Sequence, residues 1–195
     1  MKKIAIAVLL SAFVATPAMA ENFYGALDVG QSKGSEICTG VPAGVNGCKD
    51  TGTMFRAAVG TQITPMWGTE VSYGSYGKES EGAGTYLGFP VSVDWEAGGL
   101  QVSGTGTFPI TNGFSLLGKL GIARTDFKVS GTAFGSGFSD SGTSTNLAFG
   151  IGAQYDFTQN AAIRAQYDDL GTIGDTNTTG TTKVTLLSVG VVLKF

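Results

Sequence analysis

The chain has 195 residues, a formal charge of −3 and only 14% charged residues, against about 25% in soluble globular domains. No basic stripe is present to follow a nucleic-acid backbone. There is no histidine to shuttle protons near neutral pH, and the length suits one domain.

Residues 1–20 read as a cleaved signal peptide: Lys2 and Lys3, an apolar run from Ile4 to Ala15, then Ala18-Met19-Ala20 ahead of Glu21. The run is shorter than the ~20 residues of a spanning helix. No Cys follows the cleavage site to carry a lipid. Residues 21–195 are then one exported domain, and loss of Lys2 and Lys3 moves its charge to −5.

Along that domain, period-2 alternation predicts eight strands, at about 22–32, 53–63, 66–77, 94–108, 113–128, 144–157, 161–170 and 183–195. The first long connection, 33–52, contains the only cysteines, Cys38 and Cys48. In an exported chain this pair is expected to form a disulfide, worth roughly 2–3 kcal/mol. The spacing is not C-x-x-C and no His is at hand, so neither a redox pair nor a metal site is expected. The connections at Thr64-Pro65, Pro109 to Asn112 and Thr158 to Asn160 are short. Those at 33–52, 78–93, 129–143 and 171–182 are long and rich in Gly, Ser and Thr. Strict alternation puts three tight turns and both ends on one side, and four loops on the other.

Each strand has an apolar face and a polar one. Leu27 and Val29 alternate with Asp28, Ala57 and Val59 with Arg56, Val71 with Glu70, Leu120 with Lys119, Tyr155 with Gln154 and Asp156, and Ile163 with Arg164. Alternation alone does not say which face points inward, because a soluble barrel has the same period. The aromatics decide it. Phe23, Trp67, Phe108, Phe114, Phe157 and Phe195 share the apolar face, each at the tight-turn end of its strand. Aromatics at one level form a girdle at a membrane–water boundary, whereas a soluble core scatters them. A second set at the loop end, Phe55, Tyr73 and Tyr167, is sparser. The expected fold is an all-β, eight-stranded, antiparallel up-and-down transmembrane barrel in the outer membrane of a Gram-negative bacterium, both termini periplasmic.

Three stretches bear this out. Trp67-Gly-Thr-Glu-Val-Ser-Tyr-Gly, Leu117-Gly-Lys-Leu-Gly and Gly150-Ile-Gly-Ala-Gln-Tyr-Asp-Phe-Thr-Gln-Asn-Ala-Ala-Ile-Arg-Ala-Gln-Tyr follow one another in order and spacing. In these the chain resembles the OmpA-like transmembrane barrel family. The resemblance implies a lumen gate of two acidic and two basic side chains that exchange partners. Glu70, Lys119 and Arg164 match three of its members. The fourth, an acid, is Gln154 here, which can hydrogen-bond Lys119 without neutralising it; Asp156 is a possible substitute, and Arg56 lies on the same inner face. The resemblance also implies that Phe195 is an assembly signal read by the barrel-assembly machinery. With no residues after Phe195, the peptidoglycan-gripping domain of longer family members is expected to be absent.

No cofactor is implied, and enzyme activity is not expected. Asp168 and Asp169, as strand neighbours, point to opposite faces and do not form a dyad. Two functions remain. One is a structural barrel whose four extracellular loops meet host or cell-surface ligands. The other is a low-conductance, porin-like channel for ions or small solutes. Eight strands favour a filled interior and the first reading. On that reading the chain's other partners are outer-membrane lipids and lipopolysaccharide; Arg124 and Lys128 lie on the outer face above the apolar band, where they either meet its phosphates or are simply solvated rim charges. Arg164→Ala is expected to strand Glu70 and raise any conductance.

Overall fold

The structure, a computed structural model, describes residues 22–35, 50–80, 84–86, 89–133, 136–175 and 180–195. The expected signal peptide and the Cys38–Cys48 pair lie outside these residues. Among the described residues there are nine strands: β1 (Phe23–Ser35), β2 (Thr51–Gln62), β3 (Trp67–Ser80), β4 (Gly84–Tyr86), β5 (Phe89–Thr111), β6 (Phe114–Ala133), β7 (Ser136–Asp156), β8 (Ala161–Asp175) and β9 (Gly180–Lys194). Each long strand pairs antiparallel with its sequence neighbour, β1 also with β9, and β3 with β5 across the short β4. Eight long strands therefore close into a barrel with no free edge within the ring. β4 pairs only with the start of β5, Gly84 opposite Val91.

The strands run further toward the loop end than the hydrophobic pattern indicates. Residues 129–143, expected as a loop, are mostly a β6–β7 hairpin paired out to Ala133 opposite Ser136. Ser, Thr and Gly carry no apolar period there, yet the backbone ladder between neighbours continues without one. The tight turns are as expected in place, with one shift: β5 continues to Thr111 and the connection is Asn112-Gly113. Gly113 has φ of 83° in the left-handed region that an L side chain rarely adopts. The other two turns share one construction. The hydroxyl of Thr64 accepts from the Trp67 amide at 2.9 Å, and that of Thr158 from the Ala161 amide at 3.0 Å.

Burial is inverted relative to a water-soluble protein. Leu27, Ile63, Leu120, Leu147 and Ile151 are 66–72% exposed, while Asp28, Arg56, Glu70, Lys119, Arg164 and Asp168 are buried. Only a surround of lipid makes such a wall stable. The lumen is filled in three levels. Toward the turns lie Ala26, Ala58, Ala162 and Val192, with Tyr24 against them. Toward the loops lie Met54, Tyr76, Leu170, Val184 and Leu186 with three alanines, and Phe127 packs on this layer. The charges lie between: on β2 the inward order is Ala58, Arg56, Met54, and on β8 it is Ala162, Arg164, Gln166, Asp168, Leu170. The apolar layer departs from the polar inner face that the alternation suggests. Leu186 stands beside the outward Leu187, so both faces are apolar there and alternation is lost. Leu170 continues the inward series of β8 one step past Asp168, just where the β8–β9 register shifts between Asp169 and Thr172.

Two glycines separate a backbone demand from mere composition. A Cβ on Gly118 would have nothing within 4 Å. Gly118→Ala should leave unfolding in urea unchanged, whereas Gly113→Val should destabilise the folded barrel by about 1–2 kcal/mol through its left-handed φ.

Candidate functional site

A crossbar of buried charge spans the lumen. Arg164 on β8 faces Glu70 on β3, four strands away in either direction around the ring and thus across its full width. Its Nη1 donates to Glu70 Oε2 at 2.6 Å. Its Nε and Nη2 donate to the two oxygens of Asp28 at 2.9 and 2.8 Å, a planar fork on a carboxylate. Arg56 donates from Nε to Asp28 Oδ2 at 3.0 Å and from Nη1 to Asp168 Oδ2 at 2.7 Å. Lys119 Nζ donates to Glu70 Oε1 at 2.5 Å, and the Tyr24 hydroxyl to Glu70 Oε2 at 3.0 Å. Three acids and three bases are thereby joined in one neutral network, linked through Asp28 and Glu70. Gly190 leaves room for it: a Cβ there would overlap the Asp28 carboxylate.

Of the residues singled out in the sequence, Glu70, Lys119, Arg164 and Arg56 are brought together in this network. Gln154 and Asp156 do not join them. Gln154 Nε2 donates to Asp156 Oδ1 at 2.9 Å, and Lys194 Nζ donates to the same oxygen at 2.8 Å, forming a separate cluster at the turn-side mouth. Gln154 therefore leaves Lys119 to Glu70 alone, and Asp156 neutralises Lys194 instead. The acids that balance the lumen are Asp28 and Asp168. Both stand on the polar face in sequence, but which inward residues meet across a lumen depends on strand tilt and register, which periodicity does not encode. Asp169 is bonded to the Gly171 amide at 2.9 Å and to Lys183 at 2.7 Å, apart from Asp168. This carboxylate holds Lys183, at the loop end, above its ordinary pKa.

A cavity of about 90 Å³ opens from the turn side and ends on Glu70, Lys119 and Arg164. Beyond them, toward the loops, lies the apolar layer of Met54, Tyr76 and Leu186. Gln101, Gln166 Nε2 and Asp168 Oδ1 are buried without a protein partner, and such atoms are commonly met by internal water. The six turn-end aromatics all face outward: Phe23, Trp67, Phe108, Phe114, Phe157 and Phe195 are 37–58% exposed. Trp67 and Phe108 meet edge to face at 6.1 Å. The loop-end set of Phe55, Tyr73 and Tyr167 is exposed as well.

Each buried ion costs several kcal/mol to desolvate, so the network is stable only while every charge keeps a partner. Arg164→Met should cost about 3–5 kcal/mol in a urea titration, because it leaves Asp28 and Glu70 short of positive charge. Lys119→Met should cost less, since Glu70 keeps Arg164 and Tyr24.

Known proteins agree with this architecture. The family described as outer membrane protein beta-barrel domain matches residues 5–195. Outer membrane protein A of Shigella flexneri is 32% identical over 139 residues, covering 70% of this chain and 38% of that protein. The chain thus matches well under half the length of this curated relative. Among solved structures, Ail, the attachment invasion locus protein of Yersinia pestis, has a TM-score of 0.59 at 20% identity, covering 91% of this chain and 100% of Ail. Neisserial surface protein A has a TM-score of 0.58 at 22% identity, covering 89% of this chain and 97% of that one. At these identities the two structures support the fold. With the inverted burial, the lumen network and the match from residue 5 to 195, the chain belongs to the OmpA-like outer-membrane β-barrel family and resides in the outer membrane of a Gram-negative bacterium.

Proposed function

We propose that this protein is a closed, non-enzymatic barrel that contributes to outer-membrane structure and presents its loop end to the cell's surroundings. One observation carries the reading: the lumen is blocked twice, by the crossbar from Arg164 to Glu70 and by the layer around Met54, Tyr76 and Leu186. A solute entering from the turn side meets buried charge, and behind it a dry apolar wall. What varies without cost to such a scaffold is its loop end, where the β6–β7 hairpin extends the wall. The fold neighbour Ail is an attachment invasion locus protein by name, which fits a surface role.

In this reading the turn end and both termini are periplasmic, with the six aromatics as the girdle and Phe195 as the assembly signal for the barrel-assembly machinery. The loop end lies outside, within reach of host or cell-surface ligands. Arg124 and Lys128, both exposed on the outer face of β6, meet the phosphates of lipopolysaccharide.

The low-conductance channel has one observation in its favour: Glu70 is shared by Lys119 and Arg164, so its bonds can be exchanged between them. The apolar layer separates the two readings. Planar-bilayer records should show no steady conductance for the wild type, and none for Arg164→Ala alone, since the layer stays shut. Leu186→Ser combined with Tyr76→Ala and Arg164→Ala should conduct. Steady wild-type current would replace the closed scaffold with the channel. An epitope inserted at residues 134–135 should be detected by antibody on intact cells, and one inserted at 159–160 only after permeabilisation; the reverse would invert the orientation.

A further inference from the structure

The turn-side cavity that ends on Glu70, Lys119 and Arg164 has a lining that a merely closed lumen leaves unexplained. Three cations, Lys119, Arg164 and Lys194, face it against one acid, Glu70. Glu70 is already well occupied, because it accepts from Arg164, Lys119 and Tyr24. Lys119 is less well matched. It is 7% exposed, and one of the three donors of its ammonium goes to Glu70. Buried donors call for acceptors, and the cavity is the space in front of this one. Across the β5–β6 ladder Thr105 stands opposite Lys119 and Thr107 opposite Leu117, so hydroxyls share the lining. Leu117, two residues nearer the turn on β6, and Val192 on β9 make the middle of the cavity apolar. Gln154 and Lys194 stand nearer the mouth.

We infer that this cavity is a binding site for a short-chain monocarboxylate, an anion of the size of propionate. The carboxylate accepts from Lys119 and Thr105 at the deep end, and the hydrocarbon tail lies along Leu117 and Val192. Charge sets the sign of the ligand. Cations outnumber acids three to one in the lining, and Lys194 near the mouth repels a ligand that carries an ammonium. Volume sets its length. The cavity of about 90 Å³ has room for roughly three waters at ~30 Å³ each, or about five non-hydrogen atoms, too little for a sugar or a nucleotide. The apolar middle selects a carboxylate over a halide or phosphate, because an inorganic anion loses hydration against Leu117 and Val192 while an alkyl chain is stabilised there. Binding leaves the crossbar in place: Lys119 has donors for two carboxylates, and Glu70 keeps Arg164 and Tyr24. The site is a dead end rather than a path, and it is the same whichever side of the membrane the turns face.

The test uses the full barrel in dodecylphosphocholine micelles at constant ionic strength. Backbone amide shifts are followed by NMR during titration with propionate and, separately, with propionamide, its uncharged isostere. Propionate should bind about tenfold more tightly or better, the worth of one charge-assisted hydrogen bond, with the largest shifts at Thr105, Leu117 and Lys119. Gln154→Glu, outside the crossbar, places a tethered carboxylate in the lining and should weaken propionate by about tenfold. Leu117→Trp fills the middle of the cavity and should abolish binding. Heat-dependent gel mobility shows whether each variant is folded, and the comparison of the two ligands on the wild type needs neither. Equal affinity for propionate and propionamide, shifts confined to the loop end, or unchanged affinity in a folded variant would overturn the site.

Discussion

Six ionised side chains share the interior of the barrel, and each is held there by at least one partner of opposite charge. Asp28 is held by Arg56 and Arg164, Glu70 by Lys119 and Arg164, and Asp168 by Arg56. The bonds tie β1, β2, β3, β6 and β8 together across the lumen, where no backbone ladder reaches. Hydrogen bonds around the ring close the barrel; the ion network sets its cross-section. The glycines at inward positions are a consequence, because a narrow lumen cannot hold an arginine on one strand and a large side chain at the same level on its neighbour.

The same network explains why the interior needs apolar layers above and below it. Ion pairs gain strength as the surrounding dielectric falls, but only if each charge is already matched. Ala26, Ala58, Ala162 and Val192 on one side, and Met54, Tyr76 and Leu186 on the other, limit the water that can compete for those bonds. A barrel built this way is a strut. Its outer wall answers to the membrane, with aliphatic side chains facing the acyl chains and aromatics at the turn-end boundary. Beyond that band the β3–β5–β6–β7 wall turns polar, with Ser75, Glu96, Asp126 and Thr143 exposed. Each level of the molecule thus matches the medium at its height.

The fold was readable because a membrane barrel writes its environment into a period of two. Leu187, Val189, Val191 and Leu193 alternate with inward residues, and the six aromatics at one level indicate which face meets lipid. Strand ends at the loop side were not readable, since Ser-Gly-Thr stretches have no apolar face to repeat. Neither was the Asn112-Gly113 turn in its true place, because Pro109 drew the boundary early although an edge of the ladder tolerates it beside a register shift.

Of the lumen site, the sequence by itself determined the inventory: which charges face inward, and that Glu70, Lys119, Arg164 and Arg56 are among them. Only the tertiary structure decided the pairing. Parity is a local property of one strand, whereas contact across a lumen depends on tilt and register summed over several strands. That sum brings Asp28 and Asp168 to the arginines and leaves Gln154 and Asp156 at the mouth with Lys194. It also stacks Met54, Tyr76, Leu170 and Leu186, distant in sequence and on four different strands, into one buried layer toward the loop end.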